Sequence, residues 1–153
     1  MSRAAETPLS GAQLGRVLRF MRTLWSLDHR LDRYSKRMQK ALGVTGPQRL
    51  VVRIAGRRPG LSAGELADVL HMDPSTLTGV LKRLAQQGLL ERRPDAADRR
   101  RVLLFLTPRG RELDSLRGGT VEAVVRRTVG RLKPADLDAA ERVLEAIGAE
   151  LAR

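Results

Sequence analysis

The sequence predicts a mainly α fold carrying one small β-hairpin, with helices at both ends that need a partner. Three observations predict it. Apolar residues recur at helical spacing along most of the chain, capping boxes and proline starts cut that pattern into separate segments, and one stretch between Glu91 and Leu106 switches to the alternation of paired strands. With 153 residues and 42% hydrophobic content the chain suits one domain, or one domain with a small extension, and can form a core.

Met1 to Leu9 reads as a polar lead. From Ser10 a helical pattern runs through Leu14, Val17, Leu18, Met21, Leu24, Trp25, Leu31, Tyr34, Met38 and Leu42 and is closed by Gly43. Its other faces are strongly basic. A helix this long in so small a protein cannot bury its whole stripe on its own domain, so part of the stripe is expected to meet another subunit, and residues 1–43 read as an N-terminal dimerisation helix. Thr45 to Gln48 forms a capping box ahead of a short helix with Leu50, Val51, Ile54 and Ala55 as its stripe, ended by a turn from Gly56 to Gly60. Ser62 to Glu65 forms a second capping box, with Leu61 and Leu66 in the positions of a hydrophobic staple and Leu66, Ala67, Val69 and Leu70 facing inward.

A tight link, His71 to Asp73, leads straight into the next helix, so the two make a helix-turn-helix. Asp73 is placed to accept from first-turn amides, and Pro74 gives up no hydrogen bond at the first helical position. At about 100° per residue, Leu77, Val80, Leu81, Leu84 and Ala85 fall on one face. Ser75, Thr78, Gly79, Lys82 and Gln86 fall opposite, flanked by Thr76 and Arg83, and Gly88 supplies a left-handed stop. That outer face lacks the Glu/Lys alternation of an ordinary solvated helix. Gly79 there costs about 1 kcal/mol relative to Ala, which suggests close approach by another molecule such as DNA in its major groove; a surface helix short of acids is the alternative.

After Leu90 the period becomes extended. Glu91 to Pro94 and Arg100 to Leu106 read as two strands joined by Asp95 to Asp98, with Pro94 on an edge. Arg92, Arg93, Arg99, Arg100 and Arg101 crowd this hairpin. They either protect a strand edge by charge or grip a nucleic-acid backbone or minor groove. Thr107-Pro108 starts a further helix through Leu113 and Leu116, Gly118-Gly119 kinks or swivels it, and it resumes through Val121, Val124, Val125, Val129 and Leu132. From Pro134, Leu137, Ala140, Leu144, Ile147 and Leu151 form a seam suited to a partner helix, so residues 111–153 read as C-terminal dimerisation helices.

Lys and Arg outnumber Asp and Glu by 29 to 17, a net charge of +12 that points to a polyanionic partner. Without cysteine there is no disulfide, thiolate chemistry or sulfur-ligated zinc. His29 and His71 are the only histidines, so a metal site would need carboxylates such as Glu65 or Asp73; an ordinary turn or surface role suits His71 better, and no metal or cofactor is expected. No Ser/His/acid signature or phosphate-binding glycine loop is present, so an enzyme is not expected. Neither a membrane span nor an apolar signal core is evident, which leads to the expectation of a cytoplasmic protein. Aromatic content of 3% leaves little for stacking on single-stranded RNA.

Val44 to Gln48, Leu61 to Ala67, Met72 to Thr78, Arg83-Leu84, Gly88 to Leu90, Asp98 to Arg100 and Leu106 to Gly110 together resemble the MarR family of winged-helix bacterial regulators. The blocks stand in family order across residues 44–110; the terminal helices match only in pattern. The resemblance implies a winged helix-turn-helix that binds double-stranded DNA as a homodimer at a pseudo-palindromic operator, usually to repress, with possible release by a small aromatic or anionic effector. It implies that Asp98 braces the wing while Arg100 enters the minor groove, with Arg99 and Arg101 near phosphates. Ser75, Thr76, Thr78, Lys82, Arg83 and Gln86 would then face bases and phosphates in the major groove, and Ser62, at a helix start, would meet a phosphate. Trp25 and His29, one turn apart, could line an effector pocket; a tryptophan in a dimer core beside a partly exposed histidine is the competing reading. The alternative function is a basic architectural protein with little sequence selectivity, which a regulator's preference for its operator would separate.

Overall fold

The computed structural model describes residues 14–153, so the polar lead and the predicted helix start at Ser10 lie outside the described residues. The first helix, α1 (Arg16–Leu42), is 27 residues long, about 40 Å at 1.5 Å per residue. Gly43 stops it at φ 77°, its N–H donating to the Gln39 carbonyl. Next comes α2 (Gly46–Arg57), entered through the predicted capping box: Thr45 Oγ1 accepts from the Gln48 amide, and Gln48 Oε1 accepts from the Thr45 amide at 2.9 Å. Gly56 is helical rather than the start of a turn. The buried face of α2 is also rotated from the predicted stripe. Gln48, Arg49, Val51, Val52 and Ala55 are buried, while Leu50 is half exposed.

Leu61–Ser62 forms a two-residue strand, β1, that the sequence reading did not contain. It runs into α3 (Ala63–Leu70) through the second capping box, and Leu61 and Leu66 are buried as the staple requires. Val69, expected inward, is exposed instead. After the turn comes α4 (Pro74–Gln86), then β2 (Leu90–Pro94) and β3 (Val102–Leu106). Sheet order is β1-β3-β2, all antiparallel, so β3 is central and Pro94 sits on an edge strand, where its missing N–H breaks no ladder. Leu90 pairs with Leu106 and Arg92 with Leu104, turning Leu90, Leu104 and Leu106 into the core. The second strand begins at Val102 instead of Arg100, because Arg100 and Arg101 are held in the turn by Asp98.

The chain continues through α5 (Pro108–Ser115), α6 (Val121–Val129) and α7 (Pro134–Leu151). Gly118-Gly119 lies in a full break, not a kink: Leu116 is already extended, Gly119 has φ 72°, and the buried Thr120 caps a new helix by accepting from the Ala123 amide. The core runs from Val44 to Leu113, with α2 packed against α1, α4, α5 and β3. The terminal helices contribute little to it. Met38 is the one buried residue of α1, Ala123 that of α6, and α7 has none.

Candidate nucleic-acid interface

The turn between α3 and α4 is made by His71, the one non-glycine residue with positive φ among the described residues, at φ 47° and ψ 43°. Its N–H and that of Met72 fold back on the Asp68 and Ala67 carbonyls, closing α3 and aiming the chain into α4. Asp73 occupies the N-cap position, but its side chain makes no capping hydrogen bond, so the start of α4 rests on Pro74 and on the backbone. Leu77, Leu81 and Leu84 of α4 are buried. Ser75, Thr76, Thr78, Gly79, Lys82, Arg83 and Gln86 are all exposed, the division of faces that the periodicity predicts. A methyl group added at Gly79 would meet nothing within 4 Å, so the fold itself does not require glycine there. Thr78 donates its hydroxyl proton to the Pro74 carbonyl at 2.7 Å, which leaves the oxygen as an acceptor toward anything approaching.

At its other end α4 is locked on three sides. Gly88 at φ 68° lets the Leu89 N–H reach the Leu84 carbonyl at 3.0 Å and its own N–H reach Ala85, with buried Leu84 and Leu89 packing as such a stop favours. Gln87 donates from Nε2 to the Gly43 carbonyl at 2.8 Å, tying the end of α4 to the end of α1. Arg109 donates to the Gln87 carbonyl at 3.0 Å. The base of the hairpin is clamped at the same place: the Thr107 hydroxyl donates to the Gly88 carbonyl at 2.6 Å and the Thr107 N–H donates to Leu89 at 3.2 Å. Gly110 passes so close that a side chain there would overlap the Leu89 carbonyl.

At the tip, Asp98 accepts from the Arg100 amide at 3.0 Å and Asp95 from the Ala97 amide at 2.9 Å, two Asx turns that hold the loop open without using any arginine side chain. The five wing arginines then divide. Arg93 is engaged, 2.7 Å from Glu91 and 4.7 Å above the Phe105 ring. Arg101 reaches Glu65 at 3.3 Å and Asp95 at 4.0 Å, linking the wing to the start of α3. Glu65 is held below the usual carboxylate range by its side-chain and backbone hydrogen bonds to Ser62 and, to a lesser degree, by Arg101 and Arg58. Arg92, Arg99 and Arg100 are exposed and, with Lys82 and Arg83, make no ion pair among the described residues.

Ser62 stands apart from the other predicted contacts. It is 6% exposed, and its hydroxyl accepts from the Glu65 amide, so it serves the capping box while the exposed backbone at this helix start belongs to Gly64. Two clefts flank the junction of α1 and α6. The larger, about 1130 Å³, lies between α1, α2, α6 and α7, with Leu31, Leu50, Ile54, Val121 and Val125 among its walls; the smaller, about 520 Å³, is bordered by Arg30, Arg33, Tyr34 and Arg37. Trp25 and His29 are exposed and line neither of these two clefts. Sequence reasoning missed Glu65 and Asp95 as anchors of Arg101 and Gln87 as a strut. Glu65 was visible as the closing acid of a capping box, but nothing local identifies a partner so distant in sequence. Among the described residues no three His, Cys, Asp or Glu side chains are grouped to hold a metal, and no helix is long and apolar enough to cross a membrane.

Comparison with known proteins meets this geometry on the same span. The model of the MarR family matches residues 44–102. An HTH-type transcriptional repressor of Mycobacterium bovis is 31% identical over 109 residues, covering 71% of this chain and 78% of that protein. The HTH-type transcriptional regulator TtmR of Methylorubrum extorquens is 43% identical over 70 residues, 46% of this chain, and the match spans only 36% of that longer protein. Among solved structures, the MepR–DNA complex of S. aureus superposes with a TM-score of 0.71 at 19% identity, covering 86% of this chain and 97% of that one, a likeness of fold.

Proposed function

This chain belongs to the MarR family, whose members are transcriptional regulators and not enzymes, and from that premise we propose that it is a repressor which binds a pseudo-palindromic operator as a homodimer. One observation carries the reading. The outer face of α4 and the wing together present Lys82, Arg83, Arg92, Arg99 and Arg100 without counter-ions among the described residues, beside Ser75, Thr76, Thr78 and Gln86, all exposed and backed by the buried core. Cations would engage phosphates or guanine, and Gln86 could pair with adenine in the major groove. Arg100, at the tip of a wing braced by Asp98, would enter the adjoining minor groove, while Arg99 and Arg101 would lie near phosphates. At the start of α3 the free backbone beside Ser62 would take a phosphate.

The dimer reading is supported by Val17, Leu18, Trp25, Leu144 and Leu151, large apolar side chains of the two terminal helices that are 46% to 82% exposed in the single chain. Trp25 belongs to that interface on this reading. The larger cleft, with apolar walls between the dimerisation helices and α2, would hold a small effector with an aromatic body whose binding releases DNA. Its acids Asp28, Asp32, Glu122 and Glu141 accompany Arg53, Arg57 and Arg126, so the cleft offers no excess of positive charge to a simple anion.

Selection of bound duplexes from a random library tests the function. The expected result is a palindromic motif with half-sites about one helical turn apart and a preference over random duplex of about a thousandfold or more. Binding that depends steeply on salt without any motif would leave an architectural protein.

A further inference from the structure

The one arginine buried in the described chain is not in the DNA-facing surface. Arg49, on α2, is 1% exposed at its side chain. Its Nε donates to Glu122 Oε1 at 2.8 Å, Nη1 donates to the Leu113 carbonyl, and Nη2 donates to the Leu116 carbonyl at 2.9 Å and to that of Asp114 at 3.4 Å. One guanidinium therefore satisfies the open carbonyls at the end of α5 and pairs with an acid in the first turn of α6, each a favourable place for the charge it meets. One turn further along α2, Arg53 donates to Asp114 Oδ1 at 2.6 Å and approaches Glu122 at 3.8 Å. Another turn on, Gly56 leaves the space that Asp114 needs, since a Cβ there would lie 2.5 Å from Asp114 Oδ2.

The corner that this cluster spans is held at its far end by the buried Thr120 and Ala123, but its two glycines have little restraint of their own. Gly118 and Gly119 stand in open space between α5 and α6, with Gly119 left-handed, so the backbone alone does not set the direction in which α6 leaves the winged domain. Arg49 and Arg53 bridge that joint from α2, the helix at the centre of the core that backs α4. We propose that Arg49 is a positioning residue for DNA recognition: by binding both sides of the α5–α6 corner it sets the angle between the winged domain and the dimerisation helices, and so the distance between the two recognition helices of the dimer. This rests on the homodimer reading given above.

The test uses the full chain with Arg49→Lys and Glu122→Gln. Lysine keeps the charge but cannot bridge a carboxylate and three carbonyls at once, while Glu122→Gln removes the negative charge from the pair and leaves Arg49 on α5. Titrations compare a single half-site with duplexes whose two half-sites are separated by the selected spacing or by one or two base pairs more or fewer. Wild type is expected to favour the selected spacing by about tenfold or more, within the usual range for coupled sites. Arg49→Lys is expected to flatten that preference while the dimer persists and single half-site affinity changes less than about twofold, with Glu122→Gln moving the same way to a smaller extent. Should Arg49→Lys fail to fold, Glu122→Gln carries the test by its own spacing profile. An unaltered spacing profile, with all duplexes weakened alike or not at all, would overturn the proposal and leave Arg49 as a support of the fold. If wild type itself gains nothing from a second half-site, the homodimer reading has failed and the proposal falls with it, a result visible before any variant is made.

Discussion

Between Val44 and Leu113 apolar residues close over one another, and Leu66, Leu84 and Leu104 are entirely buried. In α1, α6 and α7 similar residues at similar spacing lie open: Trp25 is 59% exposed and Leu151 82%. The contrast is one of opposing surfaces rather than of composition. The winged region folds a sheet and four helices around a shared interior, whereas much of the apolar stripe of α1 and α7 stays uncovered by the described residues. An amphipathic helix without an opposing surface gains little from burial, so its stability must come from a partner. On the function proposed above, the winged region would carry recognition and the terminal helices the arrangement of two such units.

Charging the open seam should break this division most severely. Leu144→Glu is expected to yield monomers in light scattering and to lower operator affinity by about 100-fold or more, because two linked half-sites lose their mutual advantage. An unchanged mass would show that this face is not the interface. On the closed side, Gly110→Ala forces a side chain onto the Leu89 carbonyl at the base of the wing and should cost about 1–3 kcal/mol in urea unfolding. A wild-type midpoint would mean the backbone can part there freely. Arg100→Ala leaves both regions folded, since its side chain makes no ion pair among the described residues, and should weaken DNA binding about tenfold with melting and dimer mass unaltered. Equal affinity would remove Arg100 from the interface. The smallest effect is also the most discriminating. Gly79→Ala has room in the free protein and should raise stability by about 1 kcal/mol, yet weaken operator binding if the groove approaches the α4 backbone. A gain in stability with no change in affinity would leave Gly79 without a recognition role.

Features set by neighbours in sequence were the legible ones. The boxes at Thr45–Gln48 and Ser62–Glu65, the stop at Gly88 and the two faces of α4 each depend on residues within a turn or two, and all are present. Local signals misled where geometry decides among acceptable options. Asp73 sits at the right position without its hydrogen bond, and Leu50 and Val69 lie just outside the arc that the core covers. Least legible was Arg49, whose partners are 64 to 73 residues away and whose residue type is ordinarily solvated. At the candidate interface the exposed residues of α4 were read correctly as a face, but the separation of the wing arginines into paired Arg93 and Arg101 and unpaired Arg92, Arg99 and Arg100 depended on Phe105, Glu65 and Asp95 meeting them in space.

The clamp at Thr107 has a consequence for how this surface can change over time. Leu90, Leu104 and Leu106 anchor the two strands in the core, and Thr107 and Gly110 close their base on the Leu89 carbonyl, so the tip from Arg93 to Arg101 is an excursion with fixed ends. Lengthening an excursion of that kind is inexpensive, about 0.6 kcal/mol for each doubling of a flexible loop. The reach of the hairpin can therefore be lengthened, shortened or recharged by insertion near its tip while the interior that positions α4 stays as it is, making the wing the part of this reader most open to diversification.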